Sequence, residues 1–261
     1  MWWKPQPDSM NNRVMQTAPL ISIVTITFNA EKELESTLRS VARQTFTDYE
    51  HLIVDGASND ATVEIAENFE NPRLKVHSKP DSGIYHGMNR GLKYARGKYI
   101  IFLNAGDGFA SANTLSLFAE KARLDYDIIY GDTVITDAAG NILRKRHLDA
   151  PEELTVKSFA KGMLVCHQAF MVKRSLAPEY NRKYSLSADY DWCIRCMKQT
   201  TPQHCANLHE VAIHYLDNGA SEKHKLRSLR ERFTIMAAHY GFFPTLLRHI
   251  TFLFRALRRH L

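Results

Sequence analysis

The chain has 261 residues, 44% of them hydrophobic, enough for one sizeable domain with appendages. Its net charge of +6 is concentrated: from Lys223 to Leu261 nine Lys or Arg face a single acid, Glu231, so that stretch carries +8 and the rest of the chain is slightly acidic. Cys166, Cys193, Cys196 and Cys205 are too sparse for a disulfide scaffold, and no run approaches the roughly 18 apolar residues of a spanning helix, which argues against a disulfide-built or membrane-spanning protein. Met1-Trp2-Trp3-Lys4 lacks the apolar core of a secretory signal, so a cytoplasmic protein is expected.

Residues 1–18 are polar and aperiodic and read as a loose arm. Leu20 to Phe28 is β-branched, reads as a strand, and opens into Asn29-Ala30; Glu31 to Arg43 then places Leu34, Leu38 and Val41 on one helix face. Tyr49 to Val54 repeats the pattern, running into Asp55-Gly56-Ala57-Ser58 and a helix carrying Val63, Ile65, Ala66 and Phe69. Leu74-Lys75-Val76 is a shorter strand. A Gly-punctuated stretch from Asp81 to Gly91 merges into a helix that stops near Gly97.

Tyr99-Ile100-Ile101-Phe102-Leu103 is apolar throughout and ends in Asn104-Ala105-Gly106-Asp107, the signature of a strand covered on both faces. A helix from about Ala112 to Arg123 and a strand at Asp127 to Asp132 follow. This alternation predicts βαβ crossovers and a mostly parallel sheet. The second half differs: a hairpin around Asp137 to Asn141, a strand from Leu164 to Val172, a helix from Ser187 to about Lys198, and a last strand at Val211 to Tyr215. The pair Cys193 and Cys196 has metal-knuckle spacing but no second pair, and sits in that helix.

Asn29, Asp55 and Asp107 each follow a strand of the first half. In an open α/β sheet such positions line a crevice at the carboxyl edge, where ligands bind. No Gly-x-Gly-x-x-Gly follows the first strand, so a nucleotide here would be held by carboxylates and a metal rather than a glycine loop.

Thr27-Phe28-Asn29, Asp55 to Thr62, Asp81-Ser82-Gly83-Ile84-Tyr85, Met88-Asn89-Arg90-Gly91, Ala95-Arg96-Gly97 and Phe102 to Asp107 together resemble the family 2 glycosyltransferases of the GT-A fold, of the type that builds bacterial surface polysaccharides. The set covers residues 20–110 and its later parts reach 221. The resemblance implies an α/β, Rossmann-like, mostly parallel sheet flanked by helices. Residues 19–132 would be the nucleotide-binding half, 133–221 the acceptor half, and 222–261 a basic helical tail.

It further implies that Asp55 contacts the nucleobase of a nucleoside-diphosphate sugar, usually uridine, with Thr27, Asn29, Ser58, Asp81, Asn89 and Asn104 in the nucleotide site. Asp107 falls in the place of the metal ligand for Mg²⁺ or Mn²⁺, and Gly106 where many relatives carry a ribose-contacting acid. The motif beginning at His214 makes that residue a diphosphate or metal contact, and the family's catalytic acid falls on Asp189. His86 stands where many relatives have an acid.

An inverting transfer needs one base on the attacking face and positive charge on the leaving face. Asp189 takes the base role by motif, while Asp191, two residues on and on another helix face, is read as a cap or an acceptor contact. His167-Gln168 would meet acceptor or satisfy buried backbone, and Trp192 would be core or a sugar platform. His214 by itself is equally an ordinary sheet histidine.

From Arg230 onward, paired Phe and Leu residues interleave with Arg248, Arg255, Arg258 and Arg259, a basic amphipathic helix suited to an anionic membrane surface through residues 242–261 or to packing on its own domain. No nucleic-acid motif accompanies this charge. The expected partners are therefore the sugar nucleotide, a glycan or lipid-linked acceptor and the inner membrane face, with a homodimer left open. Two other functions fit parts of the sequence: a silent sugar-nucleotide or glycan binder, and a nucleotidyltransferase making the sugar nucleotide.

Overall fold

The computed structural model describes residues 18–146, 148–217 and 225–257. The arm at 1–17 and the stretch 218–221 that closes the His214 motif lie outside the described residues. In the first half β1 (Ile21–Thr27), α1 (Leu34–Ala42), β2 (Tyr49–Asp55), α2 (Thr62–Glu67), β3 (Leu74–Ser78), α3 (Ile84–Tyr94) and β4 (Tyr99–Phe102) follow one another as strand–helix units. β2, β1 and β4 lie side by side and parallel, with β3 at the outer edge. Alternate residues of these strands enter different cores: Val24, Ile26, Ile100 and Phe102 face one, Ile21, Ile23, Tyr99 and Ile101 the other. That double burial is why β4 reads as an unbroken apolar run and β1 as a β-branched one.

The sheet then changes sense. After α4 (Thr114–Arg123), β6 (Ile128–Thr136) pairs with β7 (Ile142–Lys145) in the expected hairpin. The strand expected over 164–172 is instead a 3₁₀ turn, His167–Ala169, leading into β8 (Phe170–Lys173), which lies antiparallel between β4 and β6. An apolar run is compatible with both forms, and here the turn is held by the Ala169 N–H donating to Cys166 O at 2.9 Å. β9 (Cys205–Leu216) runs parallel to β6 and is longer than its apolar segment alone indicates. It also receives β5 (Gly108–Phe109), a two-residue strand too short to show any period.

Gly97 does not end α3 by adopting a left-handed conformation. It lets the chain cross β1, since a Cβ there would sit 2.6 Å from the Ser22 backbone nitrogen. Its own N–H donates to Ser22 Oγ, which donates in turn to the buried Glu50.

α5 (Ala188–Met197) carries Trp192 into the larger core, where the ring stacks on Tyr180 at 4.9 Å and meets Phe102 edge-on, so Trp192 is core rather than a sugar platform. Cys193 and Cys196 are buried in the same cluster. The basic tail is two helices, not one: α6 (Lys225–Tyr240) and α7 (Phe242–Leu257) break at Gly241, whose φ of +91° an L side chain adopts only with strain. α6 buries Ile235 and Met236 in the main core, whereas α7 leaves Phe243 and Leu247 exposed.

His51, fully buried in β2, has Nε2 2.9 Å from Thr25 Oγ1 and no partner for Nδ1, and burial pushes its pKa down to about 3. The unfolded chain takes up that proton near pH 6.5, so between about 6.5 and 3 it holds more protons than the folded one. Stability should fall on acidification by about 1.4 kcal/mol per pH unit from this group. Urea unfolding at pH 7 and pH 5 should show His51→Gln losing about 2 kcal/mol less than wild type; equal losses would refute the account.

Candidate active site

A cleft of about 630 Å³ opens at the carboxyl ends of β1, β2 and β4. Thr27, Phe28 and Gly56 form one side, Asp81 and Ile84 another, and Asn104 and Asp107 the floor; Tyr215, Leu216 and Asp217 close it from β9. Four of the lining residues are acids, Glu33, Asp81, Asp107 and Asp217, and among the described lining residues none is Lys or Arg.

Asp107 is set by a tight turn after β4. Thr37 Oγ1 accepts from Gly106 N at 2.9 Å and donates to Asp107 O at 2.7 Å, while Leu216 N donates to Asp107 Oδ1 at 2.7 Å. Gly106 has φ of +93°, and a Cβ on it would lie 2.7 Å from Leu216 Cδ2, so an L side chain here would strain the backbone and push the Leu216 side chain aside. Burial pushes the Asp107 pKa up to about 7, opposed by the Leu216 N–H, the neighbouring Gln168 amide and the His167 ring. Beside it, Asn104 Oδ1 is buried without a partner among the described residues.

Asp189, in the first turn of α5, is not among the residues that line this cleft, and its side chain is 22% exposed. Tyr85 Oη, next to Ile84, donates to its Oδ1 at 3.1 Å, and His167 Nδ1 lies 3.5 Å from its Oδ2. Burial disfavours a charged His167, but the Cys166 thiol, Asp189 and Asp107 outweigh it and raise the ring's pKa. The imidazole thus lies in the field of both carboxylates, and its Nε2 is buried with no partner.

The remaining expected residues divide. Thr27, Asp81 and Asn104 face the cleft. Asp55 does not: its carboxylate is fully buried and accepts from Thr27 Oγ1, Ser58 Oγ, Ser58 N and Ser78 Oγ, and it is the next residue, Gly56, that lines the cleft. Although burial opposes it, those donors hold the Asp55 carboxyl below the usual range.

Asn29, at φ of +50°, accepts from Asn59 N through Oδ1 and donates its own N–H to Ser58 Oγ, so Asn29 and Ser58 latch the β1 and β2 loops together. Asn89 is buried, with both amide atoms committed to the Tyr180 backbone. His214 is displaced by strand parity. It pairs with Gly108, so alternation puts Tyr215, not His214, on Asp107's side. Burial and then Arg43 disfavour its protonation, whereas after burial it is Asp107 that most raises the Tyr215 pKa. Asp191 is not a cap: it is buried, accepting from Arg195 Nε at 2.7 Å and lying 2.8 Å from His239 Nε2.

The profile of Glycosyl transferase family 2 matches residues 22–180, the segment holding every cleft wall except β9. This chain belongs to glycosyltransferase family 2. The glycosyltransferase is 35% identical over 187 residues to a PGL/p-HBAD biosynthesis glycosyltransferase of Mycobacterium bovis, covering 69% of this chain and 70% of that one. It is 30% identical over 190 residues to an uncharacterized glycosyltransferase of Methanocaldococcus jannaschii, covering 69% and 65%.

Among solved structures it resembles S. aureus TarS at a TM-score of 0.68 and 19% identity, over 84% of this chain but only 39% of TarS. It also resembles the mannosyltransferase PcManGT from Pyrobaculum calidifontis, solved with GDP-Man and Mn²⁺, at a TM-score of 0.62 and 14% identity over 89% and 74%. These likenesses show a GT-A fold, as expected from the sequence. Glu33 of the glycosyltransferase site carried no motif that could have singled it out, while Gln168, expected to meet acceptor or satisfy buried backbone, accepts from Asn104 N at 2.7 Å.

Proposed function

We propose that the glycosyltransferase moves a sugar with inversion from a nucleoside diphosphate, uridine diphosphate being the first candidate, to a hydroxyl of a glycan or lipid-linked acceptor of the cell surface. The observation that carries this is an acid-lined cleft that holds the buried Asp107 carboxylate, with a second carboxylate, Asp189, bound by Tyr85 next to the lining residue Ile84. Asp81 and Asp217 are paired with Arg90 and Arg144, but among the described residues Glu33 and Asp107 are not so paired, so a counter-cation favours a diphosphate beside them. A single carboxylate with the unpartnered Asn104 oxygen beside it suits Mg²⁺ or Mn²⁺, which fill their remaining positions with water and phosphate oxygens. Bound at Asp107, the cation would neutralise the departing diphosphate as a Lewis acid.

The protein's own part is positional. Phe28, 62% exposed at the mouth, offers a flat apolar surface for the base, and Thr27 and Asp81 offer hydrogen-bond partners. Tyr85 and His167 aim Asp189, which takes the proton of the incoming hydroxyl as its oxygen bonds the anomeric carbon and the carbon–oxygen bond to the diphosphate breaks. Asp55, Asn29, Ser58 and Asn89 hold the walls.

Thermal-shift measurements against UDP-, GDP- and TDP-sugars, with Mn²⁺ and with EDTA, test the reading. One nucleotide at 100 times its Kd should raise Tm by roughly 5–10 °C only with metal; no shift from any of them would sink it. The exposed Phe242, Phe243, Leu246 and Leu247 on a basic helix support peripheral attachment to an anionic membrane. Removing residues 242–261 should abolish co-sedimentation with phosphatidylglycerol vesicles, and unchanged sedimentation would exclude it.

A further inference from the structure

The helix that carries Asp189 lacks a cap of its own. Ser187 stands at the N-cap of α5 and makes no capping side-chain bond. The backbone immediately before it is held instead by a carboxylate from α6: Glu231 accepts from Ser185 N, Leu186 N and Ser187 N at 3.1, 2.9 and 3.0 Å, and from Ser185 Oγ at 2.9 Å. One turn earlier, Ser228 Oγ lies 3.3 Å from Ser187 Oγ. Two turns later, His239 meets Asp191. Residues 228, 231, 235 and 239 recur at helical spacing, so a single face of α6 is strapped along α5, with Ile235 buried between the polar ties.

This is more than general packing. Four donors on one carboxylate are charge-assisted bonds, stronger than neutral ones. They fix the peptide groups that lead directly into Ala188-Asp189. Asp189 is held at its carboxylate end by Tyr85 and His167, and at its backbone end by Glu231.

We propose that Glu231 is a positioning residue for sugar transfer, its carboxylate fixing the backbone from which Asp189 projects, so that the C-terminal helix α6 is a working part of the active site. The inference rests on Asp189 being the base. It assigns to α6, 44 to 46 residues from the groups it holds and beyond the segment matched by the family profile, a role in turnover rather than anchorage.

The test uses the full chain and follows nucleoside-diphosphate release from the sugar nucleotide that thermal shift selects, with water as acceptor. Glu231→Gln puts an amide where a second acceptor oxygen is needed and should lower kcat about 10- to 100-fold, with donor KM changed by less than about two-fold. Glu231→Asp should recover part of kcat. In an Asp189→Asn background Glu231→Gln should cost little more, because both changes act on one group.

A wild-type kcat in Glu231→Gln, a parallel loss of donor affinity, or a full multiplicative loss on top of Asp189→Asn would overturn the proposal. If Glu231→Gln does not accumulate as folded protein, Glu231→Asp carries the test, and a wild-type kcat there overturns it too. An Asp189→Asn enzyme with unreduced kcat would instead overturn the base assignment, whatever Glu231 does.

Discussion

Asp189→Asn should lower turnover by about 10²- to 10⁴-fold, the contribution of a positioned general base. Asparagine has the same shape and its Oδ1 still accepts from Tyr85, so the geometry around α5 survives while the capacity to accept a proton does not. Because Asp189 is not among the residues lining the cleft, donor affinity measured by titration should stay within about two-fold of wild type. Retained turnover would remove Asp189 from the mechanism. A wild-type protein that binds sugar nucleotide but never releases the diphosphate would identify a silent binder.

Asp107→Asn should separate function from stability. The Asp107 pKa is raised by burial from the ordinary 3.8 to about 7, so the folded state disfavours its charge. Stability from this group is greatest below pH 4 and declines as pH rises through 7, at a cost of order 3–4 kcal/mol once the carboxylate is fully charged. Asparagine keeps the volume and the bond from Leu216 N without that cost. In EDTA at pH 8 the variant should therefore melt several degrees above wild type.

With Mn²⁺ and nucleotide the order should reverse, since the variant loses the metal-dependent stabilisation and its turnover falls by about 10²-fold or more. A variant still stabilised by nucleotide only when Mn²⁺ is present would exclude Asp107 as the metal ligand. On the proposed mechanism the desolvated carboxylate is a stability cost retained for binding a cation, as functional sites often require.

Several of these residues could be read directly from the chain. The strands that lead to Thr27, Asp55 and Asp107 are rich in β-branched and apolar residues because both of their faces are covered, and that pattern located the carboxyl edge of the sheet. Side-chain direction was less accessible. His214 and Tyr215 are neighbours, and which of them faces Asp107 depends on pairing with β5, a strand of only two residues that leaves no periodic trace. Asp55 sits in a motif, yet its carboxylate is consumed by Thr27, Ser58 and Ser78, partners from three separate segments. The tail's composition signalled an amphipathic helix but not the break at Gly241, where backbone conformation rather than hydropathy decides.

By itself the sequence determined the α/β layering, the family, and the strand ends at which acids gather, because burial on two faces and short polar loops both leave local marks. Only the tertiary structure decided which carboxylates face the cleft, that His167 comes within 3.5 Å of Asp189, and that Glu231 holds the start of α5. Those facts follow from strand register and from contacts between distant segments, which no local pattern encodes.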